Sequence, residues 1–570
     1  MIDIELFLRE RYPNFWQRHP YLNRPLLRVL RLLFHEKLFH DFADQYPHLE
    51  GFDFVDEMLR YFDFSYRVSD RELEQIPVRG RVVVVANHPI GSLDGLALIK
   101  LMRSIRRDVK VVANDILDNI PPLRSLLIPV NNMGGVTARR SLEALHQHLD
   151  DEGALIIFPA GEVSRLGTRG IRDCEWRSGF IRLAAQSRAP VLPIFVNGRN
   201  SAFFYSLSLL ARPLSTLWLV REMFHHANNC VEMRIGAPIS YQSYQRVELP
   251  LKEKAKLFRR HVYRLGQGKS GVFPAEPAIA HPEDRALLRT EVRACELLGR
   301  TQDDKQIYLF RYQSDSAIMR EIGRLRETAF RAVGEGSGLP RDIDKYDRHY
   351  LHLVLWDDND LEIAGAYRLC DASVAADRLG EEHLYSATLF QYQPEMRPYM
   401  QQGLELGRSF VQPRYWGRRS LEYLWYGLGA FLRQNPQYRY LFGPASLSAA
   451  YPPRAQHLLT HFYRTHFPAP AQLARPRQPF VIPPHVSEEL REKFPGASYN
   501  GEFAQLKSEL MHMNLSVPTL YKQYSEICEP GGAQFVDFNV DPAFGNCIDG
   551  LIVVDLARLK PARRERYLGS

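Results

Sequence analysis

At 570 residues the chain is too long for a single hydrophobic core, so two domains are expected, three at most. Its 73 basic and 66 acidic residues leave a net charge of +7. That suits an acidic partner or an anionic membrane surface without demanding either, and no nucleic-acid partner is expected. Six scattered cysteines, with no C-x-x-C pair, argue against a zinc site or a disulfide framework and for a reducing compartment. No metal is expected. The first residues are acidic and mixed, without the apolar core of a signal peptide. No uncharged apolar run reaches the 18 residues of a spanning helix.

Residues 22–39 place Arg24, Arg28, Arg31 and His35 at helical spacing among leucines and Phe34. Such a basic amphipathic helix either lies in a membrane interface or packs on its own domain. From about residue 79, strand and helix patterns alternate. Strands are expected at 81–86, 109–113, 127–130, 154–158 and 190–196, and helices at 94–106, 137–150 and 177–188. This alternation predicts a mostly parallel α/β sheet. Residues 201–219 are the most apolar long window. They form a membrane-dipping segment, the lining of an acyl-chain site, or a buried helix pair broken at Pro213. Strand 230–235 and helix 251–265 close this first domain, 1–265.

A Gly-, Pro- and Ala-rich stretch from 266 reads as a linker, with a bridging helix at 283–299, so the second domain covers 300–570. That second half mixes strands at 306–313, 350–356, 361–369, 384–391, 404–411, 439–444, 533–540 and 548–554 with helices at 315–333, 418–433, 453–465 and 502–514. It is α+β, with a Pro-rich excursion at 468–484.

Two stretches carry chemistry. The first is Asn87-His88-Pro89-Ile90-Gly91-Ser92-Leu93-Asp94-Gly95, directly after the apolar run Val82–Ala86. It puts a His and an Asp in one strand-to-helix turn at the carboxyl end of a strand, where open α/β sheets bind ligands. Either it is a capped turn with an incidental His, or His88 is a base and Asp94 its partner. With no Ser or Cys nucleophile evident beside them, the second reading implies direct attack by an acceptor hydroxyl. A second strand-turn, Phe158-Pro159-Ala160-Gly161-Glu162, and a third strand end at Pro193 repeat the design.

The second stretch is Gly403–Arg419, a strand, a basic Gly-containing loop and a helix start. Arg414, Gly417, Arg418 and Arg419 could cradle a phosphopantetheine or face an acidic carrier protein, or they form a solvated basic loop. On the same strand Glu405 and Arg408 are placed to form a structural ion pair.

The blocks NHPIGSLDG, FPAGEVSR and APVLPIFV resemble the lysophospholipid/glycerol-phosphate acyltransferase family over about residues 60–265, and its hemolysin-like branch in the five-residue His–Asp spacing. That resemblance implies an α/β acyltransferase domain in which His88 and Asp94 are catalytic. It implies that Asn87, Gly91, Asn132, Phe158, Pro159, Gly161, Glu162 and Pro193 help bind substrate. Ala160 stands where the family commonly has Glu, and Asn occupies the place of its phosphate-binding Arg. Asn does not replace an Arg at a phosphate, so a lipid acceptor without that phosphate is expected.

Residues 300–556 resemble GNAT-type N-acyltransferases, in particular the ornithine N-acyltransferases. The resemblance rests on Glu405-x-x-Arg408, Ala364–Leu369, Asp344-x-x-Asp347, FGPASLSAAYP and VDFNVDPAFGNCIDG. It implies a GNAT-like α+β domain, with Glu405 and Arg408 catalytic, Asp347 near the substrate, and an acyl carrier protein thioester as donor, CoA being the alternative. No cofactor is bound. Together the resemblances imply a bifunctional aminolipid synthase on the inner face of the cytoplasmic membrane. The rivals are a single-function lysophospholipid acyltransferase and a non-catalytic membrane-binding protein.

Overall fold

The computed structural model describes residues 36–569 apart from 114–119, 131–135, 168–169, 211, 379 and 381, together with Pro25, Leu27, Arg28 and Arg31. Most of the amphipathic stretch 22–39, and Asn132, lie outside the described residues. The chain divides into two compact units, Met1–His281 and Pro282–Ser570.

In the first unit β1 (Ser65–Arg67), β2 (Val82–Ala86), β3 (Val109–Ala113), β4 (Leu127–Pro129), β5 (Ala154–Ile157), β8 (Val191–Asn197) and β9 (Cys230–Ile235) form one sheet, ordered β1-β9-β8-β2-β5-β3-β4. β6 (Arg165–Gly167) and β7 (Gly170–Arg172) make a separate hairpin. All pairings in the large sheet are parallel except β8 with β9. β2 lies between β5 and β8, and each of its five residues is buried, which is why its sequence is continuously apolar and β-branched. Its carboxyl end therefore opens at the middle of the sheet, where His88 follows.

The apolar window resolves into two helices, Ala202–Leu210 and Arg212–His225, meeting next to Pro213, which cannot donate an interior helical bond. No helix among the described residues is long and apolar enough to cross a membrane. The stretch read as a linker packs on the first unit. Phe273 joins its core, Val272 and Phe273 donate to His261 Nδ1, and Ala278 N–H reaches Gln75 Oε1. The expected helix at 283–299 ends at Arg293, and β10 (Glu296–Arg300) pairs antiparallel with β11 (Gln306–Arg311) instead.

The second unit is built on an eight-stranded sheet. After β10 and β11 come β12 (Leu351–Asp357), β13 (Glu362–Asp371), β15 (Gly403–Val411), β16 (Tyr440–Leu447), β19 (Cys547–Asp555) and β18 (Ala533–Asp541), in that spatial order. β14 (Phe390–Tyr392) and β17 (Ala474–Pro476) form a small separate pair, so the Pro-rich excursion holds one short strand. The strand expected at 384–391 is a 3-10 turn, Tyr385–Thr388, before β14. The N–H groups of Tyr385 and Ser386 point at Glu405 rather than at a neighbouring strand.

β15 and β16 pair in parallel over only three residues, Gly403–Glu405 with Tyr440–Phe442. Beyond that point β15 pairs with β13 and β16 with β19, so the two strands splay. Gly443 sits at the fork with φ of +158°, and a Cβ there would come 2.1 Å from the Leu406 carbonyl oxygen. Only glycine lets the two backbones pass this closely.

Candidate active sites

The first site begins where β2 ends. Gly91, at φ +121°, turns the chain into the helix Ser92–Arg103. Asp94, in the first turn of that helix, is fully buried. Its Oδ2 accepts the Ile90 and Gly91 N–H groups at 2.8 and 3.3 Å. Its Oδ1 stands 2.9 Å from His88 Nδ1. One carboxylate thus locks the turn and the imidazole together. With Nδ1 facing Asp94, Nε2 is the nitrogen left to take a proton. Burial pulls the imidazole pKa down, but the charge and hydrogen bond of Asp94, helped by Asp173, outweigh it and leave it raised. Phe158 covers one face of the ring, 4.2 Å between centroids.

Two residues that the sequence did not single out, Asp173 and Asn200, hold this turn, and a third, Arg165, bridges the helices Ala202–Leu210 and Arg212–His225. Asp173 Oδ1 accepts the His88 N–H at 3.2 Å and the Ser164 hydroxyl at 2.6 Å, and its Oδ2 accepts Trp176 Nε1–H at 2.8 Å. Asn200 Nδ2 donates to the carbonyls of Pro89 and Ile90, at 3.3 and 3.1 Å. Arg165 Nη1 donates to the hydroxyls of Ser208 and Ser215, at 2.7 and 2.6 Å. Their contacts to the turn cross 85 and 111 residues of chain, so no local pattern announces them.

The other expected residues take distinct places. Asn87 clamps β8, donating to Val196 O at 2.8 Å and accepting from Val196 N–H at 2.7 Å. Pro193 is an interior residue of β8, aligned with Val85, and packs where a Cβ on Gly236 would touch its ring. Pro159 O accepts the Arg177 N–H at 2.9 Å, and the Arg177 guanidinium lies 3.5 Å from the Cβ position of Gly161. Glu162 pairs with Arg165 at 3.3 Å. Phe158 thus meets His88 directly, while Asn87 and Pro193 serve the sheet.

The second site lies at the splay. Glu405, 1% exposed, is enclosed by protein donors. Its Oε2 accepts the Tyr350 hydroxyl and the Tyr385 N–H, and its Oε1 accepts the Ser386 N–H at 2.8 Å. Burial raises its pKa. These contacts make Glu405 the anchor of the 385–386 turn. Asp347 is likewise buried, 2.8 Å from Arg326 Nη1 and 3.1 Å from Arg368 Nη1. Burial alone would raise its pKa; the two guanidinium groups outweigh this and hold it well below the carboxylate range.

Arg408 occupies a β-bulge, where the register of β13 and β15 shifts between Ala366 and Arg368, and takes a left-handed φ of +49°. A non-glycine residue there stores strain of about 1–3 kcal/mol, sustained only by strong local contacts. Arg408 Nε is 3.0 Å from Asp342 Oδ2, and its Nη1 donates to the Tyr385 hydroxyl at 3.1 Å. Its guanidinium lies between the rings of Tyr385 and Phe544, 4.5 and 4.4 Å from their centroids.

Around the bulge the tertiary structure adds three carboxyl groups from distant segments. Glu335 Oε2 accepts the Ser446 hydroxyl at 2.9 Å, and Asp541 Oδ2 accepts the Tyr385 hydroxyl at 3.2 Å. Burial lifts the Glu335 pKa to about 7. Burial, then the charges of Asp541 and Glu335, lift Asp549 to about 8. Both pKa values lie above their usual range near 4, so the folded protein holds more protons than the unfolded chain between there and pH 7–8. This contribution to stability is present in acid and is lost as pH rises toward 8. Asp549→Asn should flatten the loss relative to the native protein by up to ~1.4 kcal/mol per pH unit between pH 5 and 7. Hydrogen-exchange protection of the β19 peptide in the full chain, at pH values normalised for intrinsic exchange, measures it.

The basic loop is mostly committed to protein contacts. Arg414 bonds Glu362 and Asp360 at 2.8 and 2.7 Å, and Arg419 bonds Glu422 at 2.8 Å and Gln302 at 3.0 Å. Arg418, over the Tyr415 ring at 5.7 Å, makes no ion pair among the described residues and is exposed. Gly417, at φ +73°, has open space around its Cβ position. Arg418 and Gly417 are therefore exposed, and neither is held by an ion pair among the described residues.

Comparison with known proteins identifies two domains in the chain. An acyltransferase family matches residues 7–270, and the acetyltransferase (GNAT) domain matches residues 325–426. A glycine N(alpha)-acyltransferase of Bacteroides thetaiotaomicron is 33% identical over 262 residues, 44% of this chain and 77% of that protein. A lyso-glycine lipid O-acyltransferase of the same organism is 29% identical over 272 residues, 46% of this chain and 97% of that protein. An L-ornithine N(alpha)-acyltransferase of Brucella abortus is 32% identical over 179 residues, 26% of this chain and 62% of that protein. The chain is an acyltransferase that belongs to the family of these glycine N(alpha)-acyltransferases, with an N-terminal acyltransferase domain and a C-terminal GNAT domain in one polypeptide.

Proposed function

We propose that the chain makes an aminolipid in two steps: N-acylation of a small amino acid, ornithine or glycine, in the second unit, then O-acylation of the attached 3-hydroxyacyl chain in the first. The observation that carries the reading is that one chain holds a His88–Asp94 dyad 2.9 Å apart at a strand end and a separate strand splay with Arg408 beside it. In the first step the amine nitrogen attacks the thioester carbonyl, the C–N bond forms, and the thiol leaves. In the second, His88 Nε2 takes the proton of the 3-hydroxyl as its oxygen attacks a second thioester, and returns that proton to the departing thiol. Arg418 and Gly417 suit the phosphopantetheine of an acyl carrier protein, with CoA the alternative donor. Phe203 and Leu209, 55% and 68% exposed on the helix Ala202–Leu210, give the first unit an apolar face for a lipid surface. These two residues support a reading of the chain as peripherally attached to the inner face of the cytoplasmic membrane.

The test supplies the full chain with 3-hydroxyacyl and acyl thioesters of acyl carrier protein and either ornithine or glycine. Mass spectrometry should find the N-acyl amino acid first and its O-acylated product second. Acylation of lysophosphatidic acid, with no amino-acid product from either amino acid, overturns the reading.

A further inference from the structure

His349, Cys370 and His383 come from three separate segments of the second unit, and their ligand atoms all lie within 4.8 Å of one another. We infer that these three side chains form a zinc site that staples together the segments holding Glu405. Each ligand is next to a group that holds Glu405. His349 precedes Tyr350, whose hydroxyl donates to Glu405. His383 lies two residues before Tyr385, and the N–H groups of Tyr385 and Ser386 donate to Glu405. Cys370 is the direct cross-strand partner of Glu405 itself.

The local chemistry suits a metal. His349 Nε2 lies 2.8 Å from the His383 carbonyl oxygen, and a carbonyl only accepts, so Nε2 carries the proton. That leaves Nδ1 as a bare lone pair. A second ring nitrogen donating to a backbone carbonyl is the usual support of a metal-bound histidine, because it fixes the tautomer. The His349 and His383 rings stack 4.5 Å apart above a buried Cys370, with His349 exposed, so an ion has a path from solvent to the thiol. Two imidazoles and a thiolate are a borderline-soft set with three protein ligands, which suits tetrahedral zinc with one position left for water. Zinc bond lengths place such ligands about 3.3–3.7 Å apart. Separations of up to 4.8 Å need to close by about 1.5 Å at most, within reach of side-chain rotation. On binding, the Cys370 thiol loses its proton to solvent and the thiolate bonds the metal, with no change in oxidation state. No sequence spacing announces the site, since its ligands are 13 or more residues apart and no two belong to a common metal motif.

The experiment uses the full chain without an affinity tag, treated with a chelator, exposed to zinc or cobalt(II), and gel-filtered. Elemental analysis should then find one zinc per chain. The cobalt form should show thiolate-to-metal charge-transfer and tetrahedral d–d bands. Cys370→Ser should abolish the charge-transfer band, His383→Ala should lower bound zinc at least tenfold, and Cys230→Ser, in the first unit, should leave both unchanged. A native chain that retains no zinc and gives no thiolate band overturns the inference, as does zinc retained in full by both site variants. The cobalt spectrum of the native chain needs no variant to fold. Because neither readout uses catalysis, failure here leaves the two-step acylation standing, and failure of that reaction leaves the metal site standing.

Discussion

His88→Ala should stop the chain at the mono-acylated amino acid. Removing a positioned base costs about 10²–10⁴ in rate, so O-acylation of supplied lyso-lipid should fall by at least that lower bound. N-acylation should stay within about twofold, since it is assigned to the other unit. The lyso-lipid would then accumulate, and mass spectrometry of the reaction reads it directly. The pH dependence follows from the same geometry. The charges of Asp94 and Asp173 raise the His88 pKa against burial, and only the neutral ring can accept a proton. O-acylation by the native chain should therefore rise with pH through a value above 6.5, the ordinary histidine pKa. A His88→Ala chain that still converts lyso-lipid at the native rate would remove the first site from the reaction.

The second large effect belongs to Arg408. Arg408→Ala removes the cation 3.0 Å from Asp342, which is itself buried. Breaking a buried pair from one side costs about 3–5 kcal/mol, because a charge is left without its partner. The Tyr385 hydroxyl loses its donor as well, and with it the 385–386 turn that surrounds Glu405 loosens. A shift of about 1 Å at a reacting centre costs roughly 10² in rate, so N-acylation should fall by at least that much. O-acylation of supplied lyso-lipid should be unchanged, which separates a local loss from a failure to fold. Arg408→Lys restores the charge but not the planar group between the rings of Tyr385 and Phe544, so it should recover stability more fully than kcat. Equal recovery of both would make Arg408 a structural cation and not a positioning residue.

Glu405 illustrates how an expected role changes once its surroundings are known. The N-acyltransferase resemblance suggested that it is a base for the amine. Its carboxylate is instead filled by Tyr350, Tyr385 and Ser386, so it anchors the turn at Tyr385–Ser386. Asp347 is similar: it is buried and paired with Arg326 and Arg368.

By itself the sequence determined what is local in the chain. A β-branched run followed by His88 and Asp94, with five residues between them, places both groups in one strand-to-helix turn, where the structure pairs them at 2.9 Å. The two-part organisation, the mostly parallel first sheet and most strands of the second were legible for the same reason, since hydrophobic period is written residue by residue. What only the tertiary structure decided depends on partners far apart in sequence. Asp173 reaches His88 across 85 residues, and Asn200 holds the carbonyl of Pro89 across 111. Glu335, Asp541 and Asp549 gather around Arg408 from segments some two hundred residues apart; burial raises the Glu335 pKa, and burial with the charges of Asp541 and Glu335 raises that of Asp549, which no single segment carries. The roles of Asn87 and Pro193 in holding the sheet, the turn at Tyr385–Thr388 in place of a strand, and the meeting of His349, Cys370 and His383 belong to the same class. Each is fixed by which backbone and side-chain groups the folded sheet leaves in need of a partner, and that is settled only when distant strands are laid side by side.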